Sequence, residues 1–376
     1  MILSWILACT PDPPAAGCRA SKPQDPPDDL PVIKVLEADP SRSEVLSGHL
    51  LLTQYGEGSS YAVALEGCGE LEWWAPASAP DRSISYIRRG LDGASVLIGE
   101  NHRDPRVDVG LIRRVSIATG EELSRTRAEE HHHAFVEVGD GRLAWLSRER
   151  IDNEWFPQHD AMLATDIVRI GPEGSELEAD AEVLFRSLQD TGLEPFWTCS
   201  HMEPGRYLPD SLDWTHANSL VLDRDTGEYT LMLRHWDALL RLSPDGQLRW
   251  ILGGPAGTLT PLGGAIPPRH AHLTEAWSDG VLVFDNRNHA NDATSRAVWY
   301  GLDEEGLTYE ERWVYPDPNG VLHPAQGDVR SLPGGNFLIS WTPAGRLTEV
   351  TPEGEIVWKA EAPGSIGRVE FFQDWP

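Results

Sequence analysis

The sequence predicts an all-β protein, a six-bladed β-propeller of four-stranded blades around a central channel. Three observations carry that prediction. The chain has 376 residues with 15 Trp, 35 Gly and 29 Pro, and short alternating runs punctuated by Gly and Pro turns take the place of helical periodicity. A Gly followed by a run of β-formers occurs six times, and a second Gly element interleaves with it one for one. The Gly-to-Gly steps of the first set are 45, 48, 86, 53 and 55 residues. Four of these are close to the roughly 40–50 residues of a propeller blade.

Taken in order along the chain, residues 1–9 form a short apolar run ending Ile6-Leu7-Ala8-Cys9. A small residue before a Cys, after an apolar run, is the pattern of a bacterial lipoprotein signal, with Cys9 the lipidated residue. The competing reading is a frayed terminus. Residues 10–31 carry seven Pro and read as a Pro/Asp-rich disordered tether. The propeller is expected over 32–376, with Val32-Ile33-Lys34-Val35-Leu36 a candidate to close against the last blade.

The first repeated element appears at Gly48-His49-Leu50-Leu51-Leu52, Gly93 to Ile98, Gly141 to Leu146, Gly227 to Met232, Gly280 to Phe284 and Gly335 to Ile339. The second begins at Gly69, Gly120, Gly174, Gly246, Gly306 and Gly354, and several copies end in Trp. Asp-Gly, Pro-Asp-Gly, Pro-Glu-Gly and Pro-Gly-Gly turns separate them, as hairpins require. The 86-residue step holds one blade plus an insertion near 188–212; a seventh blade within it is the alternative. No apolar run reaches the roughly 18 residues of a membrane-spanning helix.

Composition narrows the function. Lys plus Arg is 31, Asp plus Glu is 59, and the net charge is −28. Nucleic acid and anionic lipid surfaces both need a basic patch, so neither is an expected partner. Of four Cys, Cys9 and Cys18 lie in the N-terminal segment, and Cys68 and Cys199 could form one disulfide in an oxidising compartment. No Cys-x-x-Cys or His-x-x-x-His spacing marks a zinc site, and none is expected.

The 13 His are unevenly placed. His133 lies eight residues before Gly141, and His272 eight before Gly280, which suggests one shared repeat position on an innermost strand. His216 opens the equivalent strand of the fourth blade, and Arg234 and His235 sit where the next strand ends. Three His and an Arg at one mouth of the channel would make a cationic pocket in an acidic protein. Such a pocket suits a compact oxyanion, because Arg offers a planar charged fork and His can act as nucleophile or acid near neutral pH. Each His is also a candidate for a hydrogen-bonded core residue, and His131-His132-His133 for a surface metal-binding run. His49, His102 and His201 have no such company, and Arg142, Arg241 and Arg249 read as solvated strand faces. Trp155, Phe156, Phe196, Trp197, Trp214 and Trp236 suit either an aryl pocket or blade packing.

The stretch Asp213-Trp214-Thr215-His216-Ala217-Asn218-Ser219, followed by Leu233-Arg234-His235 and by Trp250-Ile251-Leu252-Gly253-Gly254, resembles the central signature of bacterial arylsulfotransferases. These are sulfotransferases that do not use the nucleotide sulfate donor. The segment from His272 to Phe284-Asp285-Asn286 is similar to the family's His segment, and His132-His133-Ala134-Phe135 to its His-His-Asp segment. Gln326-Gly327-Asp328-Val329 is similar to its final inner blade. The resemblance covers about residues 125–360. The chain departs from it at Ala134, where Asp is usual, and at Ala271 and Leu273 beside His272.

The resemblance implies transfer of a sulfuryl group from a phenolic sulfate ester to a phenol, in the periplasm, with no cofactor. It makes His272 the nucleophile that becomes sulfated, and Arg234, His216 and His133 the binders of the sulfuryl oxygens. Asn218, His235 and His132 would contact substrate. The partners expected are a small aryl sulfate and a phenol, with membrane contact only through the N-terminal lipid of a cell-envelope lipoprotein. Hydrolysis, and a non-catalytic propeller binding an anionic ligand or a protein, are the competing readings.

Overall fold

A computed structural model describes residues 25–56, 58–104, 107, 110–157, 160–177, 180–187, 189–193, 210–290, 294–342 and 344–376. The signal-like segment with Cys9, most of the tether, and the core of the 188–212 insertion with Phe196, Trp197, Cys199 and His201 lie outside these residues. Six antiparallel sheets follow one another around a ring, one per blade, giving the six-bladed propeller. No helix among the described residues is long and apolar enough to cross a membrane.

From the channel outward, blade 3 is Phe135–Gly139, Arg142–Ile151, Met162–Pro172 and Glu182–Arg186. Blade 4 is Ala217–Leu222, Tyr229–Leu233, Ala238–Leu242 and Leu248–Gly253, and blade 5 is His272–Trp277, Gly280–Asp285, Arg296–Asp303 and Thr308–Pro316. Blade 6 is Asp328–Ser331, Phe337–Trp341, Arg346–Val350 and Ile356–Glu361. Blade 2 begins at Arg82–Arg89.

The first Gly element leads into the second strand of every blade. That strand is sandwiched between neighbouring blades on both faces, so its apolar residues run unbroken instead of alternating. Every residue of Gly280–Asp285 and of Phe337–Trp341 is buried. Outermost strands have one wet face, and Glu122–Arg127 is largely exposed. The second Gly element is the turn into the outermost strand, although in blade 3 that strand starts only at Glu182, several residues after Gly174.

The ring is tied twice. Ser365–Phe372 pairs with His49–Tyr55, from His49↔Phe372 to Tyr55↔Ser365, and supplies the innermost strand of blade 1. At the other end of the chain, Lys34–Ala38 pairs with Ile356–Glu361 on the outer edge of blade 6, with Lys34 opposite Glu361. Cys68, on blade 1, is disulfide-bonded to a partner outside the described residues.

Three readings of the sequence need correction. Arg241 is not a solvated strand residue but fully buried: it donates to Thr230 and to the Trp277 carbonyl, and its guanidinium lies 5.7 Å from the Trp250 ring centroid. Trp214 and Trp236 are fully buried against each other at 4.9 Å, and Phe156 joins the same core, so these three pack blades. His131 and His132 are buried too, at 4% and 3% exposure, which removes the surface metal-binding run.

Candidate active site

The inner strands of blades 3 to 6 enter the channel in one way. His133, His216, His270 and Gln326 have φ of 54°, 48°, 50° and 60°. Each precedes a small residue, Ala134, Ala217, Ala271 or Gly327, and then Phe135, Asn218, His272 or Asp328. Left-handed backbone at a non-Gly residue costs about 1–2 kcal/mol, and such outliers concentrate where function holds them. The repeat also corrects the register inferred from spacing. His272 faces Phe284, four residues after Gly280, while the residue in that place in blade 3 is Phe135, facing Trp145. The repeat equivalent of His133 and His216 is therefore His270, and the equal eight-residue offsets are coincidental.

Even so, His133 and His272 meet. Both line a cavity of about 100 Å³ on the channel axis, with Asn218, Ser219, Asp328, Arg368, Tyr55 and Tyr86 among its other walls. That is room for several waters, and the cavity is open toward solvent, so a larger ligand can extend out of it. His216 adjoins it, its ring 5.0 Å from that of His133. Arg234 opens the short 3-10 turn Arg234–Trp236 that follows the second strand of blade 4, and its Nη2 donates to the Pro324 carbonyl at 3.1 Å. Asn218 is fixed by donation to the Ala271 carbonyl at 2.8 Å, which joins blade 4 to blade 5 beside His272.

His132 and His235 stand one layer back. His132 Nδ1 meets His133 Nδ1 at 2.9 Å, and its Nε2 lies 2.8 Å from Asp166 Oδ1. His235 stacks on His216 at 4.8 Å and contacts the Asp213 carbonyl through Nδ1 at 2.7 Å. Behind these rings lie two buried carboxylates. Asp213 pairs with His216 Nδ1, and Asp166 accepts from Thr215 Oγ1 and the Ala217 amide, both at 2.5 Å. Arg148 sits 3.8 and 3.9 Å from these two carboxylates.

Electrostatics revise the expected cationic pocket. Burial holds His272 down to about 3, and the positive charge of Arg234 and the neighbouring His216 act the same way. Burial, then His216 and His132, holds His133 well below its ordinary value, and His235 is held at about 3 for similar reasons. These imidazoles are neutral at pH 7, and the fixed positive charge comes from arginines. Asp213 would be raised by burial, but His216 and Arg148 outweigh that and keep it ionised. Asp213, His216 and His235 place ligand-type atoms within 4.8 Å of one another. Their two rings are stacked at 27°, whereas a metal lies in the plane of each ring it binds, so the residues do not fit a metal.

Sequence reasoning followed histidines and so missed the walls from blades 1, 2 and 6. Tyr55, Tyr86 and Arg368 carry no repeat signature. Only Asp328, seven residues before Gly335 as His272 is eight before Gly280, left a trace. The catalogue of aromatic candidates passed over the two tyrosines, the aromatics that do line the cavity.

Fold and site together define a six-bladed propeller with neutral histidines, arginines and carboxylates gathered on its inner strands. The arylsulfotransferase (ASST) family model matches residues 37–361, and the chain belongs to that family, a sulfotransferase-like class of transferases. No curated protein matches the sequence. Among solved structures, the periplasmic gluconolactonase PpgL of Pseudomonas aeruginosa is similar at 15% identity and a TM-score of 0.48, over 88% of this chain and 99% of that one. A Bacteroides caccae protein of unknown function is similar at 14% and 0.47, over 87% and 99%. A putative 6-phosphogluconolactonase of Bacteroides fragilis is similar at 12% and 0.45, over 89% and 100%.

Proposed function

We propose that this protein transfers a sulfuryl group from a phenolic sulfate ester to a phenolic acceptor through a sulfohistidine at His272. The observation that carries the reading is His272 itself, an imidazole kept neutral at the cavity wall with Arg234 acting on it. A neutral imidazole nitrogen has a lone pair to attack sulfur; a protonated one does not. As its N–S bond forms, the S–O bond to the aryl group breaks, and the leaving phenolate takes up the proton released by the second ring nitrogen of His272, which sulfonation acidifies. In the second half the acceptor oxygen attacks sulfur as the N–S bond breaks, its proton returns to the imidazole, and His272 leaves neutral. Charge on the equatorial oxygens of the transferring group is met by Arg234, with His216 and His133 as donors, in the manner of phosphoryl transfer. Asn218 completes the substrate contacts at the cavity wall, and His235 and His132, one layer back, hold His216 and His133 in place. No cofactor is needed.

A cell-envelope setting, with Cys9 lipidated and residues 10–31 a tether, is part of the same proposal. The disulfide at Cys68 supports it, since disulfides persist in oxidising compartments.

The test is release of a chromogenic phenol from its sulfate ester by the chain from residue 30 onward, with and without excess phenol. Phenol-dependent release is expected, with His272→Ala slower by at least about a thousandfold. Release independent of phenol but lost in the variant would make the protein a hydrolase. No release across several donors would sink the catalytic reading and leave a binding propeller.

A further inference from the structure

The cavity wall carries a fixed cation that the proposed chemistry does not use. Arg368 comes from Ser365–Phe372, the closing strand of blade 1. In a six-membered ring blade 1 stands across the channel from blade 4, which carries Arg234, and blade 2 across from blade 5, which carries His272. The Arg368 side chain is 7% exposed. Its Nη1 reaches Asp328 Oδ1 at 3.4 Å and its guanidinium lies over the Tyr86 ring, 4.7 Å from the centroid. Its Nε and Nη2 are buried and have no hydrogen-bond partner. Unmet guanidinium donors in a buried cavity wall are costly, which points to an acceptor that arrives with a ligand.

The local ion pairs agree. Asp328 is shared between Arg368 and Arg330 Nη2, at 3.2 Å from the latter. Glu370 is shared between Arg88, at 3.3 Å, and Arg368, at 3.9 Å. Arg330 Nη1 also lies 3.9 Å from Glu275 Oε1, so three guanidinium groups share three carboxylates, of which burial pushes Glu275 up to about 7, and none of the three belongs to Arg368 alone. The approach to Arg368 is also cleared. A Cβ at Gly367 would stand 3.0 Å from Tyr55 Cε2 and 2.3 Å from Thr53 Oγ1, so glycine at that position lets the Tyr55 ring lie along the wall.

We propose that Arg368, with Tyr86 and Tyr55, forms a subsite for a carboxylate on the aromatic substrate, so that the protein selects phenols bearing a second, anionic group. This rests on the sulfotransferase reading only in taking the ligand to be a phenol. The carboxylate meets the open edge of the guanidinium, the ring lies against the tyrosines, and the phenolic end points across the channel toward Arg234 and His272. A charge-assisted pair of this kind is worth roughly tenfold or more in affinity.

The experiment is calorimetric binding to the full chain of 4-hydroxybenzoate, its neutral counterpart 4-hydroxybenzamide, and 4-methylphenol, at physiological salt. Wild type is expected to bind the carboxylate about tenfold tighter than either neutral phenol, a comparison that needs no variant. In Arg368→Gln the ratio falls to about one, and in Arg368→Lys it stays above one, because the charge remains while the fork is lost. Equal affinities in wild type, or a preference untouched in a folded Arg368→Gln, would overturn the proposal. Binding is read without turnover. A carboxylate preference without transfer sinks only the sulfotransferase reading, and transfer without a preference sinks only this one.

Discussion

Burial, more than charge, sets what the histidines of this propeller can do. His131, His235 and His272 are each held at about 3 chiefly because the protein removes water from them. Linkage fixes the sign of the consequence. Between pH 6.5 and 3 the unfolded chain binds more protons at these sites than the folded one, so stability falls as pH falls. Glu275, raised by burial to about 7, and Asp237, raised to about 6, work the opposite way: the folded state holds their protons longer, and stability rises as pH falls toward their unfolded values of 4.5 and 3.8. Above about pH 4.5 the two sets oppose each other. Below it Glu275 adds no more, Asp237 adds only down to about pH 3.8, the histidine loss continues, and the depressed carboxylates Asp166 and Asp213 add to the loss. The expected melting temperature therefore falls gently from pH 7 to 5, because three histidines outweigh two carboxyls, and drops steeply from 4.5 to 3, which a circular dichroism series would check. A melting temperature that rises from pH 7 to 5, as the raised carboxyls alone would make it, would mean that the histidines titrate normally. The same depression predicts that kcat/KM for sulfuryl transfer has no acid limb near 6.5.

At the scale of the element, the decisive feature is the bend by which each inner strand enters the channel. It aims His133, His216 and Gln326 with left-handed backbone and then uses a small residue where the neighbouring blade crowds in. Gly327 shows the constraint most sharply: its φ is 103°, and a Cβ there would stand 2.2 Å from Phe284 Cδ1. Gly327→Ala should cost about 2–4 kcal/mol, strain and overpacking together, and appear as a lower urea midpoint at unchanged slope. A midpoint within experimental error of wild type would show that Phe284 moves aside freely. This bend also explains what the sequence could reveal. Blade number was legible because a doubly buried second strand needs an unbroken apolar run, as at Leu50-Leu51-Leu52 and Val281-Leu282-Val283. His272, Arg234, His216 and His133 were legible as a group through local motifs. The register was not, because a β-bulge between Arg142 and Leu143 in blade 3 and another between Leu273 and Glu275 in blade 5 break the link between offset and position. Arg241 was misread because an alternating strand pattern cannot tell that the neighbouring blade supplies the Trp277 carbonyl. Arg368 was invisible because its place follows from closure of the ring, a contact between the two ends of the chain.

For the molecule as a whole, closure is what holds the cavity together, and the two ties are unequal. Lys34–Ala38 lies on the outer edge of blade 6 with most of its side chains exposed. Ser365–Phe372 is an inner strand. Its Ile366 and Val369 pack with Leu50, Leu52 and Leu65 in a core fully removed from water. Neighbouring blades also grip it. From blade 6, Arg330 donates to the Val369 carbonyl at 2.9 Å and Asp328 accepts from the Val369 amide at 3.0 Å; from blade 2, Arg89 donates to the Asp374 carbonyl at 2.7 Å and lies over the Phe372 ring at 5.0 Å. Removing residues 365–376 strips blade 1 of its inner strand, leaves Leu50 and Leu52 facing water, and takes Arg368 out of the cavity. Each such leucine uncovered costs about 1.5–3 kcal/mol, a large part of the 5–15 kcal/mol that holds a typical domain folded. A chain ending at Gly364 should therefore show no cooperative thermal transition, whereas one beginning at residue 39 should keep a single transition lowered by several degrees. Two truncations that melt alike would show that the ring is not held by its inner strand. If the chain ending at Gly364 still melts cooperatively, blades 2 to 6 are stable without closure, and the cavity becomes an open groove between blades 6 and 2 in which His272 and Arg234 remain and Arg368 does not.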